Sequence, residues 1–377
     1  MTSGALKRMR LRGMIRKESL QILRDPSSIA IAFVMPVILL WLFGYGVSLN
    51  AQNIPLAMVV ERPDANTTSL VGAFQYSDYF KLQDLDSIQA AQQAFDQRDV
   101  SAIVWLRNDF SDQLLTRGEA PIGVIVNGVD ANQARLIDGY LQGVWQSWLF
   151  SYAREQGVEL KQPVVLEPRI WFNAAVRSRN FLVPGLIAVI MTLIGAMLTS
   201  MVIAREWERG TMEALMVTPI RIGEMMIGKL VPYFVLGMGG MFLSVAMALW
   251  QFGVPLRGSF WLLTFVSALF MLVALAMGML ISTIAKNQFV AGQISIIVTF
   301  LPAFILSGFI FQISSMPVVV QWITHIIPAR YYVAMVQTLF LAGDIWPIIL
   351  ANSAALLFML IVLFALIRRK AHKRLDV

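Results

Sequence analysis

FLVPGLIAVIMTLIGAMLTSMVIA fills positions 181–204, and REWERG follows at 205–210. A transmembrane helix needs about 20 predominantly apolar residues to cross a hydrocarbon core of about 30 Å. The first string meets that length without a charge, so it reads as a span. The second places Arg205, Glu206, Glu208 and Arg209 at its end, which marks the return to water. Along the span, Ala188, Thr192, Ala196, Ser200 and Ala204 recur at every fourth position and fall on one ridge. In lipid such a ridge lets another backbone approach, and Ser or Thr can bond across. The ridge is expected to be a packing face, a dimer contact or a cavity wall.

Five further windows have the same character, giving spans at 29–49, 181–204, 225–250, 259–284, 290–313 and 345–367. Asp25-Pro26 is an N-cap with proline at the first helical position. Pro36 and Pro302 lie inside spans and are expected to bend them. Asn180 is a candidate cap for the second span. The composition agrees with this count: 57% of the 377 residues are hydrophobic and 14% charged, against about 25% charged in soluble domains. A simple cytosolic domain, a secreted enzyme and a disordered chain are excluded. Without Cys, disulfides, iron–sulfur clusters and Cys-ligated zinc are excluded as well.

Residues 50–179 hold 11 basic and 15 acidic side chains, although the chain carries +7. The basic excess therefore sits with the spans and suits lipid headgroups, not nucleic acid. Lys and Arg concentrate before residue 29, in the 205–229 loop and in the 368–377 tail. The positive-inside rule puts these in the cytoplasm, with both termini, and puts 50–180 outside. Residues 1–28 read as a basic amphipathic helix on the inner membrane face. Residues 50–180 alternate strand and helix signals, with strands at Ile54–Val60, Ala102–Leu106, Ile122–Val126 and Val164–Phe172, which indicates a small α/β domain. Residues 314–341, apolar and aromatic but broken by Pro317 and Pro328 and carrying Arg330 and Tyr331, read either as short re-entrant helices or as an interfacial aromatic belt.

The central turns of the spans contain no ionisable residue, which argues against ion-coupled transport. Gly223–Leu230 has the spacing of a phosphate-binding loop, but Leu230 stands where a Mg²⁺-binding hydroxyl belongs and no strand precedes it. Lys229 is therefore expected to snorkel to headgroups, and its truncation to be mild. At 205–217, Arg205 with Glu208 and Glu206 with Arg209 are i,i+3 pairs that carry the helix out of the membrane. Gly210 permits a break, Thr211 with Glu213 can start a second short helix, and Leu215, Met216 and Val217 form an apolar tip. A docking element for a cytoplasmic partner fits this pattern, with Glu206 and Glu208 facing basic groups on that partner.

REWERGTMEALMVTPI (205–220) resembles the signature of ABC-2-type export permeases, as do LSGFIFQISSMP (306–317), IIPARYY (326–332) and KESLQILRDPSS (17–28). The order of basic helix, span, large outer domain and five spans is similar over nearly the whole chain, closest in kind to the multidrug-efflux branch. The resemblance implies a bacterial inner-membrane permease subunit with no ATP site of its own, ATP and Mg²⁺ being held by a separate ATPase subunit. It implies that 205–218 is the coupling helix and 7–24 a connecting helix, and that 314–335 is re-entrant near the outer exit. It also implies pairing with a second permease, identical or not, and a periplasmic adaptor. Cargo would be hydrophobic or amphiphilic and drug-like. The alternative is a membrane-anchored extracytoplasmic binding or scaffold protein, for which six proline-bearing spans are excessive.

Overall fold

The computed structural model describes residues 3–46, 53–117, 122–128, 131–157, 177–212, 217, 222–285 and 287–370. The chain divides into two compact units, residues 49–168 and the remainder.

The larger unit begins with α1 (Ser3–Leu23) and α2 (Pro26–Gly46). Asp25 caps α2 by accepting from the Ser27 amide at 3.1 Å, with Pro26 at the first helical position. Pro36 has no N–H to return to the Ala32 carbonyl four residues back, and the helix widens to a π turn over Ala30–Val34. That carbonyl lies 2.4 Å from where a Cβ on Gly240 would stand, so glycine alone lets the two backbones meet there.

The smaller unit runs β1 (Ile54–Val60), α3 (Ala65–Gln75), β2 (Phe80–Leu85), α4 (Ile88–Asp96), β3 (Ala102–Leu106), α5 (Phe110–Arg117), β4 (Ile122–Val126) and α6 (Ala131–Glu155). Its sheet has the order β2-β1-β3-β4, with β1 parallel to β2 and β3, and β4 antiparallel to β3. α3, α5 and α6 cover one face through Leu70, Phe74, Phe110, Ile137 and Trp148, and α4 covers the other around Ala57, Ala91 and Ile103. The expected strand Val164–Phe172 lies outside the described residues.

After it come α7 (Ser178–Glu208), α8 (Gly223–Gln251), α9 (Phe260–Ala285), α10 (Gln288–Leu306) and, after two short helices, α13 (Trp346–Lys370). With α2, these are six helices long and apolar enough to cross a membrane. The short helices, α11 (Val318–Thr324) and α12 (Pro328–Leu341), form a hairpin in the expected 314–341 segment. Pro317 occupies the N-cap position of α11 and Pro328 opens α12. Three sequence readings need correction. Asn180 lies within the first turn of α7, which starts at Ser178 with Arg177 at the cap position. α10 starts earlier than 290, where Asn287 accepts from the Val290 amide at 3.0 Å. It also ends at Leu306, seven residues short of 313, because Gly308 turns the chain with a φ of +88°. Pro302 follows a second π turn, Ile296–Phe300, much as Pro36 follows the first.

α7 is the hub of the membrane unit, almost wholly buried along its apolar window, whereas few residues of α13 are fully buried. All five ridge residues are buried within this chain. A Cβ at Gly278 of α9 would stand 2.3 Å from the Ala196 carbonyl, and one at Gly195 would stand 2.5 Å from the Ala274 Cβ. The cross-helix bonds come from other residues than the ridge sequence suggests. Thr192 and Ser200 bond back to their own helix, at Ala188 and Met197. Thr199 Oγ1 donates to the Leu275 carbonyl at 2.7 Å, and Ser282 Oγ of α9 accepts from the amides of Ile203 and Ala204 at 2.9 Å each.

Candidate functional site: an ionic joint at the end of α7

The end of α7 meets α1 and the start of α8. Met14 of α1 packs over Gly228, where a Cβ would come within 2.9 Å of its side chain. One turn further along α1, Lys17 and Glu18 face this junction. Lys229 Nζ lies 2.7 Å from Glu18 Oε1 and 2.9 Å from Glu206 Oε1. Lys17 Nζ lies 2.6 Å from the same Glu206 oxygen. Lys229 and Glu18 are each 1% exposed at the side chain and Glu206 6%. Two cations and two carboxylates thus balance, three of them buried and Lys17, 45% exposed at the side chain, reaching the surface. Buried charges of this kind persist only when paired and hydrogen-bonded.

Lys229 therefore does not snorkel to headgroups. Its ammonium is turned inward because two carboxylates, one on α1 and one on α7, stand at bonding distance. Glu206 is likewise committed within the chain instead of facing a partner. Thr211 Oγ1 donates to Glu206 Oε2, so its hydroxyl points back to the joint, while Thr211 and Met212 are already helical after the break at Gly210. The i,i+3 pairs read from the sequence are not formed. Arg205 Nη2 reaches Asp25 Oδ2 at 3.0 Å and its Nε reaches Gln288 Oε1 at 3.2 Å. Glu208 Oε1 accepts from the Gln288 amide at 2.9 Å. Arg205 and Glu208 thus fasten α7 to the starts of α2 and α10. A further bridge, Arg10 to Glu224 at 3.3 Å, holds α1 to α8.

Asp25 feels burial, which alone would raise its pKa. Bonds from Ser27 and Ser28 and the bond and charge of Arg205 outweigh it and hold the carboxyl at about 2.

The α-helix stops at Glu208, and Gly210, at a φ of +65°, supplies the left-handed residue that ends it. Arg209 is exposed, and Val217, beyond the break, is 80% exposed. Glu213, Leu215 and Met216 lie outside the described residues. A basic-walled cavity of about 560 Å³ opens beside the break, lined by Lys17, Arg24, Asp25, Arg205, Arg209 and Gln288. Deeper in the unit, an apolar cavity of about 270 Å³ is bounded by Thr192, Phe270, Val298, Thr299, Pro302 and Ile326.

A buried hub helix among six helices long and apolar enough to cross a membrane, its end fastened by ion pairs, defines a polytopic membrane protein. The family model of ABC-2 family transporter proteins matches residues 26–369, and the chain belongs to that family. It is 41% identical over 377 residues to the Escherichia coli K12 protein named "Probable multidrug ABC transporter permease YbhS", covering all of both chains. It is 29% identical over 355 residues to "Probable multidrug ABC transporter permease YbhR" of the same strain, covering 91% of this chain and 95% of that one. Identity to the Escherichia coli K12 "Inner membrane transport permease YhhJ" is 28% over 308 residues, 80% of each.

Proposed function

We propose that this chain is the transmembrane permease subunit of an ATP-binding cassette exporter, moving hydrophobic or amphiphilic drug-like compounds. Family membership and the end-to-end match to a protein named as a multidrug permease support that reading. In it, ATP and Mg²⁺ are held by a separate ATPase subunit, a second permease completes the translocation path, and the subunit works in a bacterial inner membrane. Both termini and the 205–224 turn would face the cytoplasm and residues 50–180 the outside, where a periplasmic adaptor could engage them.

The observation that carries the mechanism is the joint around Glu206. Beyond Gly210 the described residues Thr211 and Val217 are exposed, while Glu206, Lys229, Glu18, Lys17 and Thr211 tie the end of α7 to α1 and α8. A push on residues 209–217 would reach three helices together instead of being absorbed by a loose loop. The π turns before Pro36 and Pro302 provide places where α2 and α10 can change their bend. The apolar cavity beside Thr192 and Pro302 suits a hydrophobic cargo.

The test is the double variant Leu215→Ala with Met216→Ala. Two apolar anchors removed from an interface cost about 2 kcal/mol or more when they are hot spots. Normal membrane insertion with loss of ATPase co-purification, or of cargo-stimulated hydrolysis in lipid, is the expected result. Full association and unchanged stimulated hydrolysis would place force entry elsewhere, with residues 7–24 next in line. An anchored scaffold would show neither ATPase association nor stimulation in the wild-type chain.

A further inference from the structure

The spans carry no charge in their central turns, yet the α11–α12 hairpin brings two ionisable side chains to the same depth. His325 lies at the turn of the hairpin and lines a groove with Met277 of α9 and Met359 of α13. Each of those methionines is at least eight residues from either end of its helix, about 12 Å at 1.5 Å per residue. The turn of the hairpin therefore sits beside the middle of two spans. An ionisable residue at such depth marks a functional site by default.

Arg330, on the first turn of α12, is half-buried beside His325. Its Nη1 lies 3.0 Å from His325 Nδ1 and 3.3 Å from the Gln321 carbonyl, and it also donates to Thr324 Oγ1. Guanidinium has five N–H donors and is always charged. Among the described residues, Nε and Nη2 have no hydrogen-bond partner, and no carboxylate stands within ion-pair distance. The acceptors of Nη1 are the neutral Gln321 carbonyl and Thr324 hydroxyl, which orient the cation without neutralising it, while His325 Nδ1 itself faces the same Gln321 carbonyl at 2.9 Å. A permanent positive charge at mid-span thus lacks a counter-ion from this unit.

Beside His325 and Tyr331 runs a groove of about 470 Å³ between α9 and α13; Arg330 does not line it and borders it through His325. Apart from His325 and Tyr331 its walls are apolar, including Met277, Ile326, Phe358 and Leu363. The volume is that of a small-ligand site, about 300–1,000 Å³. It opens at the surface, where Ile326 is 77% and Phe358 68% exposed. Tyr331 reaches across the turn to donate to the His325 carbonyl at 2.9 Å, holding the two ends of the site in register.

We propose that Arg330 and His325 form the headgroup end of a site for a single-chain acidic amphiphile, whose hydrocarbon chain lies in the α9–α13 groove. Charge selects the class: an unmatched guanidinium calls for a carboxylate or another oxyanion, which it can hold by two parallel N–H bonds. The long apolar groove calls for one extended chain. The inference rests on the reading of these helices as membrane spans and not on any coupling to an ATPase.

The experiment uses the full-length chain alone in nanodiscs of zwitterionic phosphatidylcholine. The probe is hexadecanoic acid carrying a diazirine on its chain, with the matching hexadecanol as the neutral control. Adducts are mapped by mass spectrometry. The acid should label residues 355–366 about tenfold more than the alcohol, and Arg330→Gln should remove that excess, the scale of one charge-assisted hydrogen bond. Arg330→Lys should restore part of it. Leu363→Trp, which fills the groove and leaves Arg330 in place, should abolish the adducts. Equal labelling by acid and alcohol, undiminished labelling of Arg330→Gln, adducts that survive Leu363→Trp, or none at all would each overturn the proposal. So would displacement of the acid by phosphatidylglycerol at equal mole fraction, which would assign the groove to a bilayer lipid. The measurement involves no ATPase, so its failure leaves the permease reading standing, and loss of coupling leaves the site untouched.

Discussion

Lys229 Nζ and Glu18 Oε1 meet 2.7 Å apart, although 211 residues separate them in the chain and each side chain is 1% exposed. The pair joins the basic helix α1 to the start of α8, and Glu206 closes the cluster from α7. Desolvation makes a buried pair weak evidence for net stability, but loss of one member leaves its partners charged and stranded.

Lys229→Met is therefore expected to be severe. It leaves Lys17 alone with two carboxylates, one charge short, and breaking a buried pair costs about 3–5 kcal/mol. The double variant Lys229→Met with Glu18→Gln keeps one lysine, Lys17, for the one remaining carboxylate and should recover much of the loss. Thermal unfolding midpoints of the two purified variants check this. A single variant as stable as wild type would mean that the lysine is not buried in this cluster.

Gly278 tests the packing of the hub. A Cβ there would stand 2.2 Å from Thr199 Oγ1 and 2.3 Å from the Ala196 carbonyl, and the second is backbone that cannot rotate away. Gly278→Ala should force α7 and α9 apart and cost about 1–3 kcal/mol, the range of overpacked cores. Gly223→Ala, with open space around it, should change stability by less than about 0.5 kcal/mol or raise it slightly through helix propensity. Detergent thermal-shift measurements on both variants suffice.

Much of this fold is legible in local sequence, because an apolar run of spanning length has few other uses. Asp25-Pro26 is legible for a similar reason: both partners of the cap are neighbours. The strand β2, Phe80–Leu85, is not, since FKLQDL is an edge strand whose outward residues are polar and give no apolar run. The ionic joint is hidden more deeply. Lys229 at the start of an apolar helix has the local signature of a snorkelling lysine. Only the tertiary contact with Glu18 and Glu206 turns it inward. Arg330 is hidden for a related reason, because its depth depends on how the hairpin inserts and not on the segment that carries it.

The Asp25–Arg205 contact gives a pH dependence with a definite sign. Asp25 is held at about 2, below its ordinary 3.8, so its contribution is complete above about pH 4 and is lost as pH falls toward 2. From pH 5 to 8 it should not vary. Asp25→Asn should lower the unfolding midpoint at neutral pH, and the difference from wild type should shrink below pH 4 and vanish near pH 2. A difference that grows on acidification would reverse the assignment.

Topology follows from charge placement and can be read with single cysteines, since the natural chain has none. Ser69 and Ser111 look like natural outer probes from the sequence. Ser69, however, accepts a hydrogen bond from Trp148 Nε1 at 3.0 Å, and Ser111 is buried. Tyr76, 89% exposed at the end of α3, replaces both. Arg209, exposed where α7 ends, reports on the opposite face. Lys and Arg concentrate before residue 29, in the 205–229 loop and after residue 367, and short basic loops stay in the cytoplasm. Residues 50–180 are long enough to cross regardless of their own charge. In intact cells, Tyr76→Cys should react with a membrane-impermeant maleimide, and Arg209→Cys should react only after the membrane is opened. Labelling of Arg209→Cys from outside would invert the topology and, with it, remove residues 209–217 from the side where ATP is available.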